Sequence, residues 1–238
     1  MKIRVRFTKS GPMKFIGHLD VMHFFQQLLR RSGIPIAYST GMSPHQIMSF
    51  ALPLGIGLES VGEYMDIEIN EAVPSLQAVE CMNRHSVEGI EILSFKALPE
   101  GALNAMASVT AADYEVGFRE GFLPSFDLSA AMTGLFERDS VTVLKKTKKS
   151  EKETDIKPLV YSFEAFKDRL LLKLSCGSVD NIKPELVMKA LYGYHGTELC
   201  DYALRIKRLD MYTGERDELK SLDSIGSDID DQGDNNRV

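Results

Sequence analysis

An amphipathic helix pattern from Leu19 to Ser32 runs directly into a segment that cannot be helical, and the two together limit how this chain can fold. Leu19, Met22, Phe25 and Leu29 recur at helical spacing, and Val21, Phe24 and Leu28 widen them into an apolar stripe. Asp20 suits the positive end of the helix dipole, Arg30 and Arg31 suit the negative end, and Gly33 supplies the stop. Pro35, Gly41, Pro44, Pro53, Gly55 and Gly57 then break the chain into short extended pieces. Ser39, Ser43, His45 and Ser49 crowd this loop, and Lys14, His18, Arg30 and Arg31 lie close in sequence, so helix and loop form the candidate site.

Strands flank this stretch. Ile3, Val5 and Phe7 alternate with Lys2, Arg4, Arg6 and Thr8, and Met65, Ile67 and Ile69 alternate with Tyr64, Asp66 and Glu68, so each segment reads as a half-buried strand. If the two are neighbours, Arg4 and Arg6 face Asp66 and Glu68 as cross-strand charge pairs. A helix at Ser75–Arg84, opened by Pro74 with Leu76, Val79 and Met82 or Cys81 inward, and a strand at Ile90–Lys96 complete a split βαβ order. After a linker at Pro99–Ala111 the order recurs. Strands are expected at Tyr114–Arg119, Val141–Lys149, Arg169–Ser175 and Leu204–Met211, and helices at Phe126–Glu137 and Pro184–Tyr192. The expected fold is α+β: two tandem ferredoxin-like units with antiparallel sheets, over residues 1–98 and 112–213. From Gly214 onward eight acids, three bases and little apolar content predict a disordered tail over 214–238.

Composition excludes several classes. The net charge of −6 argues against indiscriminate nucleic-acid binding, yet residues 1–50 hold seven Lys or Arg against Asp20 alone, so a local basic surface remains. The run Lys145, Lys146, Lys148, Lys149 and Lys152 reads as a solvated hairpin beside Glu151, Glu153 and Asp155, or as a phosphate contact. No apolar leader or membrane-length run is visible, and a cytoplasmic location without membrane contact is expected. Cys81, Cys176 and Cys200 are widely separated and suit reduced thiols. His18, Asp20, His23 and His45 lack metal-ligand spacing, and no P-loop or dinucleotide fingerprint occurs, so neither a metal nor another cofactor is expected.

The run from Phe15 to Ile69 resembles the radical-SAM-associated domain of unknown function found in many bacteria. His18, Leu19 and Asp20 match its first motif. Arg31, Gly33, Pro35, Ala37, Tyr38, Ser39 and Gly41 match its second; Pro44, His45, Ser49, Phe50 and Ala51 its third; Pro53, Leu54, Gly55, Glu59, Ser60, Glu63, Tyr64 and Asp66 its last. Where the family carries Pro-His-Pro, this chain has Pro44, His45 and Gln46, and a basic position of the family falls on Ile47 or Met48. The resemblance implies a radical SAM protein as partner and no established reaction. The CxxxCxxC cluster loop of a radical SAM catalyst is absent from this chain.

Three functions follow as expectations. The leading one is an accessory protein without catalytic residues of its own, presenting RNA, with tRNA or rRNA as candidates, to a radical SAM partner. Lys14, Arg30 and Arg31 would hold phosphates, Tyr38, His45 and Phe50 would shape the pocket, and His18, Asp20 and Ser49 would organise the loop. The second is a metal-independent endoribonuclease, which needs His18, His45 and Asp20 to converge as acid and base. The third is a protein-interaction module without RNA contact.

Overall fold

Alternating apolar residues put the first strand against two helices. The computed structural model describes residues 1–146, 151–177 and 180–230. It divides into two compact units: Met1–Val109 with Asp210–Gly214 and the chain from Glu218, and Thr110–Leu209 with Glu215–Asp217. The architecture is mixed α+β with mostly antiparallel strands.

In the first unit β1 (Lys2–Lys9), α1 (His18–Arg31), β2 (Met48–Phe50), β3 (Glu59–Glu68), α2 (Ser75–Arg84) and β4 (Ile92–Ala97) follow in order. β1 lies between β4 and β3, and β2 pairs with the early-register end of β1's neighbour, Met48 opposite Ile67 and Phe50 opposite Met65, all antiparallel. The strand order is therefore β4-β1-β3-β2, with the strand after each helix separated from the strand before it. Ile3, Val5, Phe7, Met65 and Ile67 meet Val21, Phe25, Leu28 and Leu29 of α1 and Ala78 and Met82 of α2 in one core. Leu76, expected to point inward, is exposed, and Ala78 takes its place.

The polar side of these strands is covered too, which the half-buried expectation missed. Arg4 is 2% exposed and opposes Asp66 in register. Its Nε and Nη2 donate to Asp66 Oδ1 and Oδ2 at 2.8 and 2.9 Å. Arg6 instead opposes Tyr64 and lies 4.0 Å from Asp210, while Glu68 opposes Lys2. Cover comes from two segments. The expected linker contains α3 (Ala105–Ser108), whose Ala105 amide donates to Asp66 Oδ2 at 2.6 Å. The acidic segment expected to be disordered folds back from Glu218: Leu222 is fully buried and its carbonyl accepts from Arg4 Nη1 at 3.4 Å. Farther along this strap, Ser227 and Ala97 exchange backbone hydrogen bonds of 2.8 and 3.0 Å, and Ile229 and Ser75 bond through both Ile229 backbone groups. A Cβ on Gly226 would lie 2.8 Å from Lys96 Cβ and 3.0 Å from the Ala97 carbonyl, so only glycine lets the strap run this close to β4. Apolar Leu222 and Ile229, spaced among the acids, give the segment something to bury, which an acid count does not register. Residues 231–238 of that expectation lie outside the described residues.

The second unit comprises β5 (Ala111–Phe118), α4 (Leu128–Glu137), β6 (Thr142–Lys146), β7 (Glu151–Asp155), β8 (Val160–Ala165), β9 (Arg169–Ser175), α5 (Pro184–Tyr194) and the start of β10 (Leu204–Thr213). Its sheet runs β10-β5-β9-β8, while β6 and β7 form a separate hairpin. Leu170, Leu172 and Leu174 of β9 and Val116 of β5 are buried, as are Ala131, Met132 and Leu135 of α4 and Val187, Met188 and Leu191 of α5. The strand β8 was not expected, because Tyr161, Ser162 and Glu164 interrupt its apolar pattern. The tip of the lysine-rich hairpin, with Lys148 and Lys149, lies outside the described residues.

Asp66→Ala would leave the Arg4 guanidinium and the Ala105 amide without their acceptor. The expected loss is about 3–5 kcal/mol of unfolding free energy, read from the urea midpoint; an unchanged midpoint would show that the pair is not buried in solution. On the strap, burial pushes the Asp223 carboxyl up, but hydrogen bonds from Lys96 and Ser94 and the Lys96 charge outweigh it and hold the group below the usual carboxylate range. Its stabilisation is therefore fully present above an unfolded value of about 3.9 and is lost as pH falls through the lower folded value. Asp223→Asn should lower the midpoint at pH 7 and match the native chain in strong acid; a deficit that persisted in acid would contradict this.

Candidate functional site

Helix α1 begins without a side-chain cap, since Gly17 occupies the N-cap position, and Asp20 serves the first turn. Gly33, at φ +69°, ends it as expected. Val21, Phe25, Leu28 and Leu29 point into the core, whereas Leu19 is 65% exposed, so the apolar stripe starts one residue pair later than its spacing suggested. Arg30 and Arg31 are exposed. Arg30 Nε donates to the Gln26 carbonyl at 3.2 Å and Arg31 Nη2 to Gln27 Oε1 at 3.3 Å, and neither has an acidic partner among the described residues.

The loop after Pro35 is pinched shut near its base. Tyr38 and Gln46 form a β-bridge, and the Ser39 amide donates to the His45 carbonyl at 2.8 Å. The His45 amide donates to Ser39 Oγ at 3.1 Å, and that hydroxyl lies 2.8 Å from His45 Nδ1. Ser39 thus uses one hydroxyl to fix both the backbone and the ring of His45. Gln46 is buried and seats the loop on α1: its Nε2 donates to the Gln26 carbonyl at 3.2 Å and lies 3.5 Å from Tyr38 Oη. Arg30 and Gln46 therefore share one acceptor. This brings the basic end of α1 beside Tyr38, which is half exposed, and His45, which is exposed.

A second cluster forms around Phe50. Its ring packs edge-on against His18 at 5.2 Å and against Phe7 and Phe25 at 6.1 and 5.7 Å. His18, Phe50 and Leu54 line a cavity of about 10 Å³, the space of one water molecule, together with Lys9 and Glu63. Lys9 is 2% and Glu63 5% exposed, and Lys9 Nζ donates to the Ile16 carbonyl at 2.9 Å. Lys14 lies outside the cavity, where it pairs with Glu59 at 2.8 Å and its carbonyl accepts from the Gly57 amide. Ser49 is a strand residue opposite Asp66 rather than part of the free loop.

The candidate residues thus fall into two groups. Arg30 and Tyr38 meet at Gln46 and the Gln26 carbonyl, with His45 the neighbour of Gln46 in the loop and Arg31 bonded to Gln27 on its own helix, whereas His18 and Phe50 gather around Lys9 and Glu63, with Lys14 held by Glu59 nearby. His18 and His45 share no contact, and Asp20 joins neither. Among the described residues no group of three or more His, Cys, Asp or Glu could hold a metal ion, and no helix is long and apolar enough to cross a membrane.

Residues 2–184 match the family model described as "Uncharacterized protein conserved in bacteria (DUF2344)". The chain belongs to this family. No curated protein matches it. Both side-chain groups lie inside the family match, and the strap from Glu218 lies beyond it.

Lys9 and Glu63 were missed as site residues, though strand parity marked them. Lys9 continues the odd-numbered series Ile3, Val5, Phe7, and Glu63 precedes Met65, Ile67 and Ile69, so two charged residues fall on the core face. Gln46 stands where the motif resemblance implies proline, and a departure from a motif draws no attention as a contact. Lys9→Ala would leave the part-buried Ile16 carbonyl without the Lys9 ammonium and is expected to cost about 1–3 kcal/mol in urea unfolding. His18→Ala, at the exposed rim, should cost less than about 0.5 kcal/mol. The reverse ranking would mean that the rim, not the interior, holds the cavity together.

Proposed function

We propose that this chain is an accessory protein that binds RNA through the end of α1 and the loop from Tyr38 to His45 and presents it to a radical SAM partner. The observation that carries the reading is the shared Gln26 carbonyl. Through it, Arg30, which has no acidic partner among the described residues, is tied to the loop that carries an exposed tyrosine and an exposed histidine, with the exposed Arg31 next along the helix. Guanidinium groups satisfy phosphate oxygens in pairs, and a tyrosine ring offers any base a stacking face, so this set suits a single-stranded or looped RNA segment. Lys14 contributes less than its position in sequence suggested, because Glu59 already neutralises it. The radical SAM partner rests on the motif resemblance, which covers the same helix and loop.

The strand orders β4-β1-β3-β2 and β10-β5-β9-β8 support reading each unit as a ferredoxin-like split βαβ, with the β6–β7 hairpin inserted in the second. An endoribonuclease is less well supported. His45 is committed to Ser39, His18 to Phe50, and among the described residues no third group sets either ring as a base.

The test is binding of the full chain to tRNA and rRNA fragments across a salt series, beside Arg30→Glu/Arg31→Glu. Phosphate contacts release counterions, so binding should weaken with salt, and the variant should reduce the log–log slope by about 2. Absence of binding, or binding indifferent to the variant, would remove RNA from the proposal and leave a protein-interaction module.

A further inference from the structure

The second unit carries a groove that the RNA reading does not use. Its volume is about 570 Å³, against about 260 Å³ for the cleft between α1 and α2 in the first unit. One wall is the β6 side of the hairpin, residues 140–144, and the other is formed by α5 with the end of α4. Leu135, Val141, Leu144, Leu186, Ala190 and Tyr194 give it an apolar share, and among the described residues its charged lining residues are Arg138 and Lys189. Both cations are exposed, and neither has an acidic partner among the described residues. Tyr194 Oη would lie 2.6 Å from a Cβ on Gly134, so the phenol rests against α4 at a glycine, and Arg138 stands 5.9 Å over its ring.

The β6 wall is an unpaired strand edge. Among the described residues β6 pairs with β7 alone, and the Ile156 amide donates to the Val141 carbonyl at 2.8 Å. Antiparallel pairs alternate between bonded and non-bonded, so the pairs Thr142 with Asp155 and Leu144 with Glu153 are non-bonded. The backbone N–H and C=O groups of Thr142 and Leu144 consequently point away from β7, along the groove side. An edge of this kind, exposed beside apolar side chains, is a template for another strand.

We propose that this groove binds an extended acidic peptide segment of a partner protein, which adds to β6 as a third strand. Its backbone would bond to Thr142 and Leu144, alternate apolar side chains would fill the slot against α5, and carboxylates would pair with Arg138 and Lys189. A peptide fits better than RNA, because a nucleic acid cannot continue a β-ladder and two cations in an apolar slot neutralise little of a phosphate backbone. The site is independent of the helix and loop of the first unit.

A display library of random twelve-residue peptides, selected against the full chain, supplies the probe, and anisotropy of a labelled consensus peptide supplies the readout. The consensus should alternate apolar and acidic residues. Arg138→Glu/Lys189→Glu, both surface changes, should weaken its binding by about tenfold or more, with an unaltered melting curve. Methylating alternate peptide amides on the ladder side should cause a similar loss, of about tenfold, while methylating the intervening amides should not, and this arm leaves the protein untouched. No enrichment, binding insensitive to both changes, or equal displacement by an oligouridylate would overturn the proposal. Self-association of the chain abolished by the charge reversal would likewise overturn it and assign the groove to a second copy.

Discussion

The Arg4–Asp66 pair organises the first unit. Burying a guanidinium and a carboxylate is costly unless every polar group finds a partner. Here the carboxylate receives Arg4 twice and the Ala105 amide once, and Arg4 also reaches the Leu103 and Leu222 carbonyls. Those last three contacts come from α3 and its approach and from the strap, segments far apart in sequence. The outer side of β1 and β3 is thus a second interior. The same strap takes the Lys96 ammonium through Asp223 and hides Leu222.

With that side closed, Arg30 and Arg31 of α1 are the most exposed of the basic side chains near the start of the chain besides Lys2. The concentration of basic residues in the first fifty positions therefore overstates the basic surface. Arg4 is neutralised inside, Lys9 faces the core, Lys14 is paired, and Arg30 and Arg31 are left in solvent. Gln46 ties the loop of Tyr38 and His45 to the Gln26 carbonyl that Arg30 also uses. A side-chain amide at that position can reach a helix carbonyl, which a proline could not.

Most elements were legible locally. Strand alternation fixed Lys2–Lys9 and Arg169–Ser175, proline-opened helices were found at Ser75 and Pro184, and Gly33 marked the end of α1. Failures occurred where a segment's partner was remote. The strap looked unfoldable because its few apolar residues have no local period, and β8 was lost because an edge strand tolerates polar residues on both faces.

The candidate site divides along the same line. The sequence by itself determined the helix, the loop and the residue types they carry, because apolar periodicity and the backbone limits of glycine and proline act over a few neighbouring residues. Parity even placed Lys9 and Glu63 on the core face, although nothing local says that two charges there will share a cavity with His18. Which candidates would meet was decided only by tertiary structure. Ser39 fixes His45, Gln46 joins the loop to α1, and Phe50 turns toward His18 through contacts between residues that sequence spacing does not bring together. The burial of Arg4 is the clearest case: the same alternating strand would carry that arginine in water or inside the protein, and the choice depends on whether α3 and the strap arrive to cover it.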